Sequence, residues 1–248
     1  MELKGKAALI TGGGTGLGRA IALQLAREGV NLAINYSRSA DDAEKTVKDA
    51  SALGVKAVSL KADVSDPGSA ENLVKEAAEK LGGLDILINN AGTTKFVVFE
   101  DLDGLNPEDF LNLFNTNAAS IYFTGRAAAK IMKGRGGGHI INTVSIAGLR
   151  PGGSSIAYAV SKAAGIHMTK CLALALAPLS INVNGVAPGL LLTRWASGFN
   201  EAQVEAAKQR ALLKKTTDVE ECASMFVSIA KNDSMTGQII TVDCGQVV

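Results

Sequence analysis

At 248 residues, with a formal net charge of +1 and no run of five or more basic residues, the chain lacks the basic excess or stripe of a nucleic-acid or acidic-surface binder. Three scattered cysteines (Cys171, Cys222, Cys244) and two histidines (His139, His167) give neither a C-x-x-C pair nor zinc-ligand spacing, so free thiols in a reducing compartment and no metal site are expected. The length suits one α/β domain whose core needs no staple.

In chain order, short apolar runs alternate with longer helical stretches. The opening MELKGKAALITGGG has too short an apolar run for a secretory signal and passes straight into glycines. AALIT (7–11) predicts a strand, Gly12 to Gly18 a turn, and Arg19 to Glu28 a helix. NLAIN (31–35) predicts the second strand, Asp41 to Leu53 the next helix, and AVSLKADV (57–64) the third strand. Asp66 caps a helix with Pro67 at its first position, running to about Lys80. DILINNAG (85–92) is the fourth strand. Pro107, with Asn106 as N-cap, opens a long helix reaching about Met132. The run KGRGGG (133–138) precedes a strand with no helix directly behind it, so it reads as a plain turn rather than an anion loop.

GHIINTVS (138–145) is the fifth strand, and a helix starting at Ser154 or Ser155 ends near Pro178. INVNGVAP (181–188) is the sixth strand. The apolar stretch spanning these two elements is broken by Pro178, Asn182, Asn184 and Pro188. It therefore predicts a buried helix end and a buried strand, not a membrane span, and a cytoplasmic protein is expected. Residues 190–213 read as irregular or helical and as a substrate loop, Asp218 to Ala230 as a helix, and QIITVD (238–243) as the last strand. Strands rich in Ile, Leu and Val with little alternation are buried on both faces. The repeated strand–helix units predict an α/β fold: a right-handed, doubly wound parallel sheet of about seven strands, helices on both faces, one domain over 1–248.

TGGGTGLG (11–18) follows the first strand and opens a helix. Glycines there let backbone N–H groups approach a pyrophosphate, and the helix N-terminus adds a favourable dipole. The spacing of Gly12, Gly16 and Gly18 differs from the common G-x-G-x-x-G. It resembles the first turn, T-G-x-x-x-G-x-G, of the short-chain dehydrogenase/reductase family, and the resemblance extends over nearly the whole chain. Asp63–Val64 looks like the family's adenine contact, Asn89–Gly92 like its fourth-strand end, and Asn117 like its helix asparagine. Ser145, Tyr158 and Lys162 match its S…Y-x-x-x-K. PGLLLT, Pro188 to Thr193, resembles its nicotinamide segment P-G-x-I-x-T. The resemblance implies a Rossmann-like fold. It also implies cofactor contacts at Gly12, Gly14, Thr15, Gly16, Leu17, Gly18, Tyr36, Ser37, Arg38, Asp63, Val64, Asn90, Ala91, Gly92, Tyr158, Lys162, Pro188, Gly189, Leu191 and Thr193.

Family members that prefer NAD usually carry an acid at the end of the second strand, where this chain has Tyr36 in NYSRS. A carboxylate would repel a 2′-phosphate and a guanidinium would bind it, so Arg38 points to NADPH/NADP+. The plainer reading of Arg38 is a solvated loop residue. Thr15 stands where some NADP-using members place a second basic residue.

Hydride transfer to a carbonyl needs its oxygen stabilised as charge grows and a proton delivered. Tyr158 and Lys162, four residues apart, share one helix face. A neighbouring ammonium should pull the tyrosine pKa toward neutrality. The resemblance makes Tyr158 the acid/base, Ser145 the carbonyl-orienting hydroxyl, and Lys162 the partner that tunes Tyr158 and holds the nicotinamide ribose. Asn117 would hold a water in a proton relay. Taken singly, Y-x-x-x-K is usually a helix surface, a strand-end Ser a turn former, and a helical Asn a backbone binder. His139 and His167 read as structural.

Substrate choice should lie in Thr94 to Val98, Ala147 to Gly153 and Leu190 to Phe199, with Thr94, Ser145, Leu190 and Trp195 as contacts. Leu190, Leu191, Trp195 and Phe199 read either as an apolar lid or as ordinary core. Arg150 could meet an acidic substrate or a carrier's phosphate, although a solvated loop arginine is the plainer reading. The resemblance is greatest to 3-oxoacyl-acyl-carrier-protein reductases and related ketoreductases, implying reduction of a small-molecule ketone or acyl thioester. It also implies a homotetramer or homodimer built on helices 107–132 and 154–177. DCGQVV stands where many members have D-G-G. Two alternatives stand beside this reading. One is an NAD-linked alcohol, sugar or steroid dehydrogenase; the other is a non-catalytic dinucleotide-binding regulator.

Overall fold

A computed structural model describes all 248 residues, Met1–Val248. The apolar runs form seven strands: β1 (Ala7–Ile10), β2 (Asn31–Tyr36), β3 (Ala57–Lys61), β4 (Ile86–Asn89), β5 (Gly138–Thr143), β6 (Ile181–Pro188) and β7 (Ile239–Val242). All pair in parallel, in the order 3-2-1-4-5-6-7. Successive residues of β1 face opposite layers, and both layers are apolar: Ala8 and Ile10 pack on one side, Leu9 on the other. That is why the strands read as unbroken hydrophobic runs.

Eight helices cover the sheet: α1 (Gly16–Arg27), α2 (Ala40–Ser51), α3 (Pro67–Leu81), α4 (Pro107–Phe114), α5 (Ser120–Lys133), α6 (Ile156–Leu176), α7 (Glu201–Arg210) and α8 (Val219–Ala230). α1, α2 and α8 pack on one face through Ile21, Leu25, Ala43 and Phe226. α3, α5 and α6 pack on the other through Leu73, Ala128 and Leu172. The fold is the doubly wound, single Rossmann-like domain that the strand–helix alternation predicts. The strand order reverses between β1 and β4, which opens a crevice at the carboxyl ends of the strands.

Several helix ends are set by the residues expected to set them. Asp66 Oδ1 accepts from Ser69 N at 2.7 Å, with Pro67 behind it. Asn106 and Asp109 form a reciprocal capping box at 2.9 and 3.0 Å. The helix expected over 107–132 is not continuous. A widened π-helical turn, Asn115–Ala119, separates α4 from α5. α1 starts at Gly16 rather than Arg19. Residues 190–213 resolve into a 3-10 turn, Arg194–Gly198, followed by α7. No helix is long and apolar enough to cross a membrane.

Candidate functional site

The glycine-rich turn lies at the crevice. Gly12 and Gly16 have φ of +61° and +50°, left-handed values that favour glycine. A Cβ on Gly18 would stand 2.3 Å from Gly12 O, so only glycine lets α1 approach the turn this closely. The end of β4 braces the turn. Asn90 Nδ2 donates to Thr11 O and Gly12 O, both at 3.1 Å. Thr11 Oγ1 accepts from the N–H groups of Asn90 and Ala91 at 2.9 and 3.0 Å. Asn35 Oδ1 accepts from Gly12 N at 3.3 Å. Side chains of Asp66, Asn106, Ser155, Asn200 and Asp218 cap α3, α4, α6, α7 and α8. Thr15 makes no such cap for α1, whose first turn holds no acid. Uncapped amides beside a left-handed glycine cradle suit a pyrophosphate.

The second half of the site comes from β5 and α6. Ser145 follows β5, and its Oγ accepts from Ala147 N at 3.1 Å, which leaves its own proton free to donate. Ser155 Oγ accepts from Tyr158 N at 3.3 Å and fixes the start of α6. Tyr158 and Lys162 follow on the same face and are both buried. Lys162 Nζ lies 5.8 Å from the Tyr158 ring centroid and donates to Thr143 O at 2.9 Å. The Trp195 ring covers Tyr158, with centroids 5.9 Å apart. A Cβ on Gly92 would sit 3.5 Å from Trp195 Cη2 and 3.7 Å from Lys162 Nζ, so Gly92 leaves room at the junction.

Burial reverses the expected tuning of the tyrosine. Burial pushes the Tyr158 phenol up to about 12, against a smaller downward pull from the Ser145 hydroxyl. The same desolvation lowers the Lys162 ammonium to about 8. Both groups are out of water, and the loss of hydration disfavours the charged form of each. Near pH 7 the phenol keeps its proton.

Asn117 is held in place by three hydrogen bonds. Its Nδ2 donates to Thr93 O at 2.9 Å and to Ser161 Oγ at 3.0 Å, and its Oδ1 accepts from Thr93 N at 2.8 Å. Both amide donors and one acceptor site are engaged, so the side chain braces the segment after β4 against α6. The π turn sets this asparagine against the segment that follows β4. Nothing in the local periodicity distinguishes such a turn from an ordinary helix.

A cavity of about 910 Å³ joins the two halves. Gly12, Thr15, Gly16, Leu17, Gly18, Ser37, Asn90, Ala91, Gly92, Ser145, Tyr158, Lys162, Pro188, Gly189, Leu190, Leu191, Thr193 and Trp195 line it, all singled out from sequence. Gly14, Tyr36, Arg38, Asp63, Val64 and Thr94 lie outside its walls. Gly14 packs on α2, where a Cβ would meet Ala43 N at 3.0 Å. Tyr36 and Val64 pack against the two core layers. Arg38 is exposed on the loop after β2. Asp63 Oδ1 accepts from Ser65 N and Oγ at 2.9 and 2.7 Å. Thr94 Oγ1 pairs with Ser154 Oγ. Sequence reasoning missed Thr11, Asn35 and Ser161, which position other residues, and Gln203, Arg210 and Gln246, which line the cavity. Thr11 stands inside the glycine motif, and Gln203 and Arg210 inside the expected substrate loop 190–213; the others carry no local signal.

The expected lid is partly aromatic. Phe199 meets Phe96 edge-on, with centroids 5.0 Å apart, and joins the segment after Trp195 to the loop after β4. Arg194, one residue before Trp195, pairs in a fork with Asp42 of α2 at 2.6 and 2.9 Å.

The family model for short chain dehydrogenase matches residues 6–204. Over 240 residues the chain is 38% identical to a Streptomyces violaceoruber protein named as ketoacyl reductase 2 of the granaticin polyketide synthase, covering 96% of this chain and 94% of that one. It superimposes with a TM-score of 0.90 on a Burkholderia cenocepacia short chain dehydrogenase in complex with NADP, at 35% identity and 99% coverage of both chains. A 7α-hydroxysteroid dehydrogenase complexed with NADH superimposes with a TM-score of 0.93, at 30% identity and covering 99% of this chain and 96% of that one. With its seven-stranded sheet, its glycine turn and its buried Tyr158–Lys162 pair behind Ser145, the chain belongs to the short chain dehydrogenase family of oxidoreductases.

Proposed function

We propose that the protein is an NADPH-dependent carbonyl reductase that delivers the proton from Tyr158. The observation that carries this reading is the meeting of Ser145, Tyr158 and Lys162 in a cleft whose walls hold no Asp or Glu. The left-handed glycines and the uncapped start of α1 fit a dinucleotide's pyrophosphate, and Thr193, close to Gly16, faces the same turn. Ser37 and Ser39 line the cleft beside that turn, with no acid between them. The absence of a carboxylate after β2, with Arg38 exposed next to Ser37, favours a 2′-phosphate. The two solved relatives are bound to different cofactors, so this choice rests on the loop after β2.

When bound, the dinucleotide supplies the hydride. Ser145 donates a hydrogen bond to the ketone oxygen, because its Oγ already accepts from Ala147 N. Tyr158, protonated near neutral pH because burial raises its pKa to about 12, gives its proton to that oxygen. Lys162 has two N–H groups beyond the one bound to Thr143 O, and these serve the ribose and the phenol. Asn117 holds Thr93 and Ser161 in place behind them. Trp195 keeps water from the phenol.

The relative named as a ketoacyl reductase supports a β-ketoacyl or apolar ketone substrate. Exposed Phe110, Leu111, Phe114 and Tyr122 on the α4–α5 column, and Val160 and Leu174 on α6, support assembly as a homotetramer or homodimer through those helices. The three cysteines are free thiols, in keeping with a reducing cytoplasm.

The test is oxidation of NADPH and of NADH against a panel of ketones, β-ketoacyl thioesters and quinones. The expected result is a higher kcat/KM with NADPH, and an Arg38→Ala variant whose KM rises more for NADPH than for NADH. A higher kcat/KM with NADH would favour the NAD-linked dehydrogenase. Cofactor binding with no turnover on any carbonyl would favour the regulator.

A further inference from the structure

The walls of the cleft hold four cations, Arg150, Lys162, Arg194 and Arg210, and no carboxylate. Two of the four have a partner or a role. Lys162 belongs to the catalytic set, and Arg194 is paired with Asp42. The chain's arginine ion pairs are made by Arg19, Arg126, Arg135 and Arg194. Arg150 and Arg210 make none. Arg150 Nε is shielded from solvent and has no hydrogen-bond partner, and the same holds for Gln246 Nε2. A buried donor left unpaired is costly, so two of them on the wall of one cavity point to an acceptor supplied from outside.

The three groups belong to one end of the cleft. Arg150 N donates to Ile146 O at 3.1 Å, and Ile146 belongs to the small apolar cluster against which Val247, the neighbour of Gln246, packs. Leu212 N donates to Gly245 O at 3.3 Å and Leu213 N to Cys244 O at 3.1 Å. These bonds bring the end of α7, with Arg210, alongside the C-terminal segment. The segment that carries Gln246 thus neighbours the end of α7 and the apolar cluster that holds Ile146. The Arg150 loop adjoins Tyr158: a Cβ on Gly153, in that loop, would touch Ala147 Cβ and Tyr158 Cδ1, each at 3.1 Å.

We propose that Arg150, Arg210 and Gln246 form a subsite for an anionic group on the substrate. The preferred substrate is then a ketone with a carboxylate or phosphate remote from the reacting carbonyl. Its apolar middle lies against Leu190, Trp195 and Phe199, which line the same cavity. A guanidinium binds either anion through paired N–H donors, and the Gln246 amide adds a neutral one. This inference rests on the carbonyl-reductase reading given above.

The experiment measures kcat/KM with NADPH for two matched pairs. The first is a keto acid and its methyl ester. The second is one β-ketoacyl group carried as its 4′-phosphopantetheine thioester and as its pantetheine thioester. Wild type is expected to prefer the anionic member of at least one pair by about tenfold or more, mostly through KM, and the pair concerned identifies carboxylate or phosphate. Arg150→Gln and Arg210→Gln should each shrink that ratio severalfold, and Arg150→Lys should restore part of it. Equal rates within both pairs, or a preference unchanged in both glutamine variants, would overturn the subsite while leaving the reductase intact. Should no ketone be turned over, the reductase reading fails. The subsite is then judged by thermal shift with the same compounds. Greater stabilisation by the anionic members, lost in Arg150→Gln, upholds it, and no difference overturns it.

Discussion

Replacing Gly18 by alanine tests the cofactor cradle with a single methyl group. That methyl would stand 2.3 Å from Gly12 O, 2.6 Å from Asn90 Nδ2 and 3.0 Å from Gly13 Cα. Ordinary contacts of this kind lie near 3.5 Å, so α1 and the turn must separate by about 1 Å. Two of the three atoms are backbone, and the third is held by Thr11 O and Gly12 O, so none can swing aside. Overpacking of this sort costs about 1–3 kcal/mol. For a chain of this size that corresponds to a fall in Tm of roughly 2–12 °C. Alanine's better helix propensity works in the opposite direction by about 1 kcal/mol, which makes any loss more telling. The displaced amides should weaken NADPH by about tenfold or more, equivalent to 1.4 kcal/mol. Gly134→Ala is the control, since its Cβ would meet nothing nearer than Ile131 O at 3.6 Å. The assays are thermal unfolding and nicotinamide fluorescence titration. A Gly18→Ala protein that melts at the wild-type temperature and binds NADPH within twofold would refute the reasoning.

Other predictions concern the residues behind the phenol. Asn117→Ala removes three hydrogen bonds and leaves Thr93 N–H without its acceptor, so denaturant unfolding should show a loss of about 2–4 kcal/mol together with reduced kcat. Unchanged stability would mean that the side chain is not the brace described. Burial lowers Lys162 to about 8, so its cation is present below that pH and lost above it. Tyr158, near 12, stays protonated over the same range. The kcat/KM for NADPH, which reports ionisations of the free enzyme, should therefore be level below pH 8 and fall as pH rises through it. A profile level to pH 10 would contradict this assignment.

Much of the fold was legible because the physics is local. Seven apolar strands, Pro67 and Pro107 at helix starts, and a glycine turn between β1 and α1 all leave marks on a few adjacent residues. Ser145, Tyr158 and Lys162 were legible because they match the family's S…Y-x-x-x-K in order and spacing. What stayed hidden depends on distant partners. The π turn at Asn115–Ala119 looks like ordinary helix, and the Asn117 brace requires Thr93 and Ser161. The direction of the Tyr158 shift depends on how deeply the whole fold buries it. Gln246 reaches the cavity only because the C-terminal segment runs beside Leu212. The DCGQVV departure takes on a local meaning: Cys244 has φ +58°, a conformation that glycine adopts without strain.

The claim that Tyr158 delivers the proton is tested most directly by Tyr158→Phe in a single-turnover measurement of NADPH oxidation with a turned-over ketone. The substitution keeps the ring against Trp195 and removes only the hydroxyl. NADPH should bind within about twofold of wild type, and the rate should fall by about 10²–10⁴-fold, the usual contribution of a positioned acid. A variant that reduces the ketone within tenfold of the wild-type rate would contradict the assignment of Tyr158 as the proton donor.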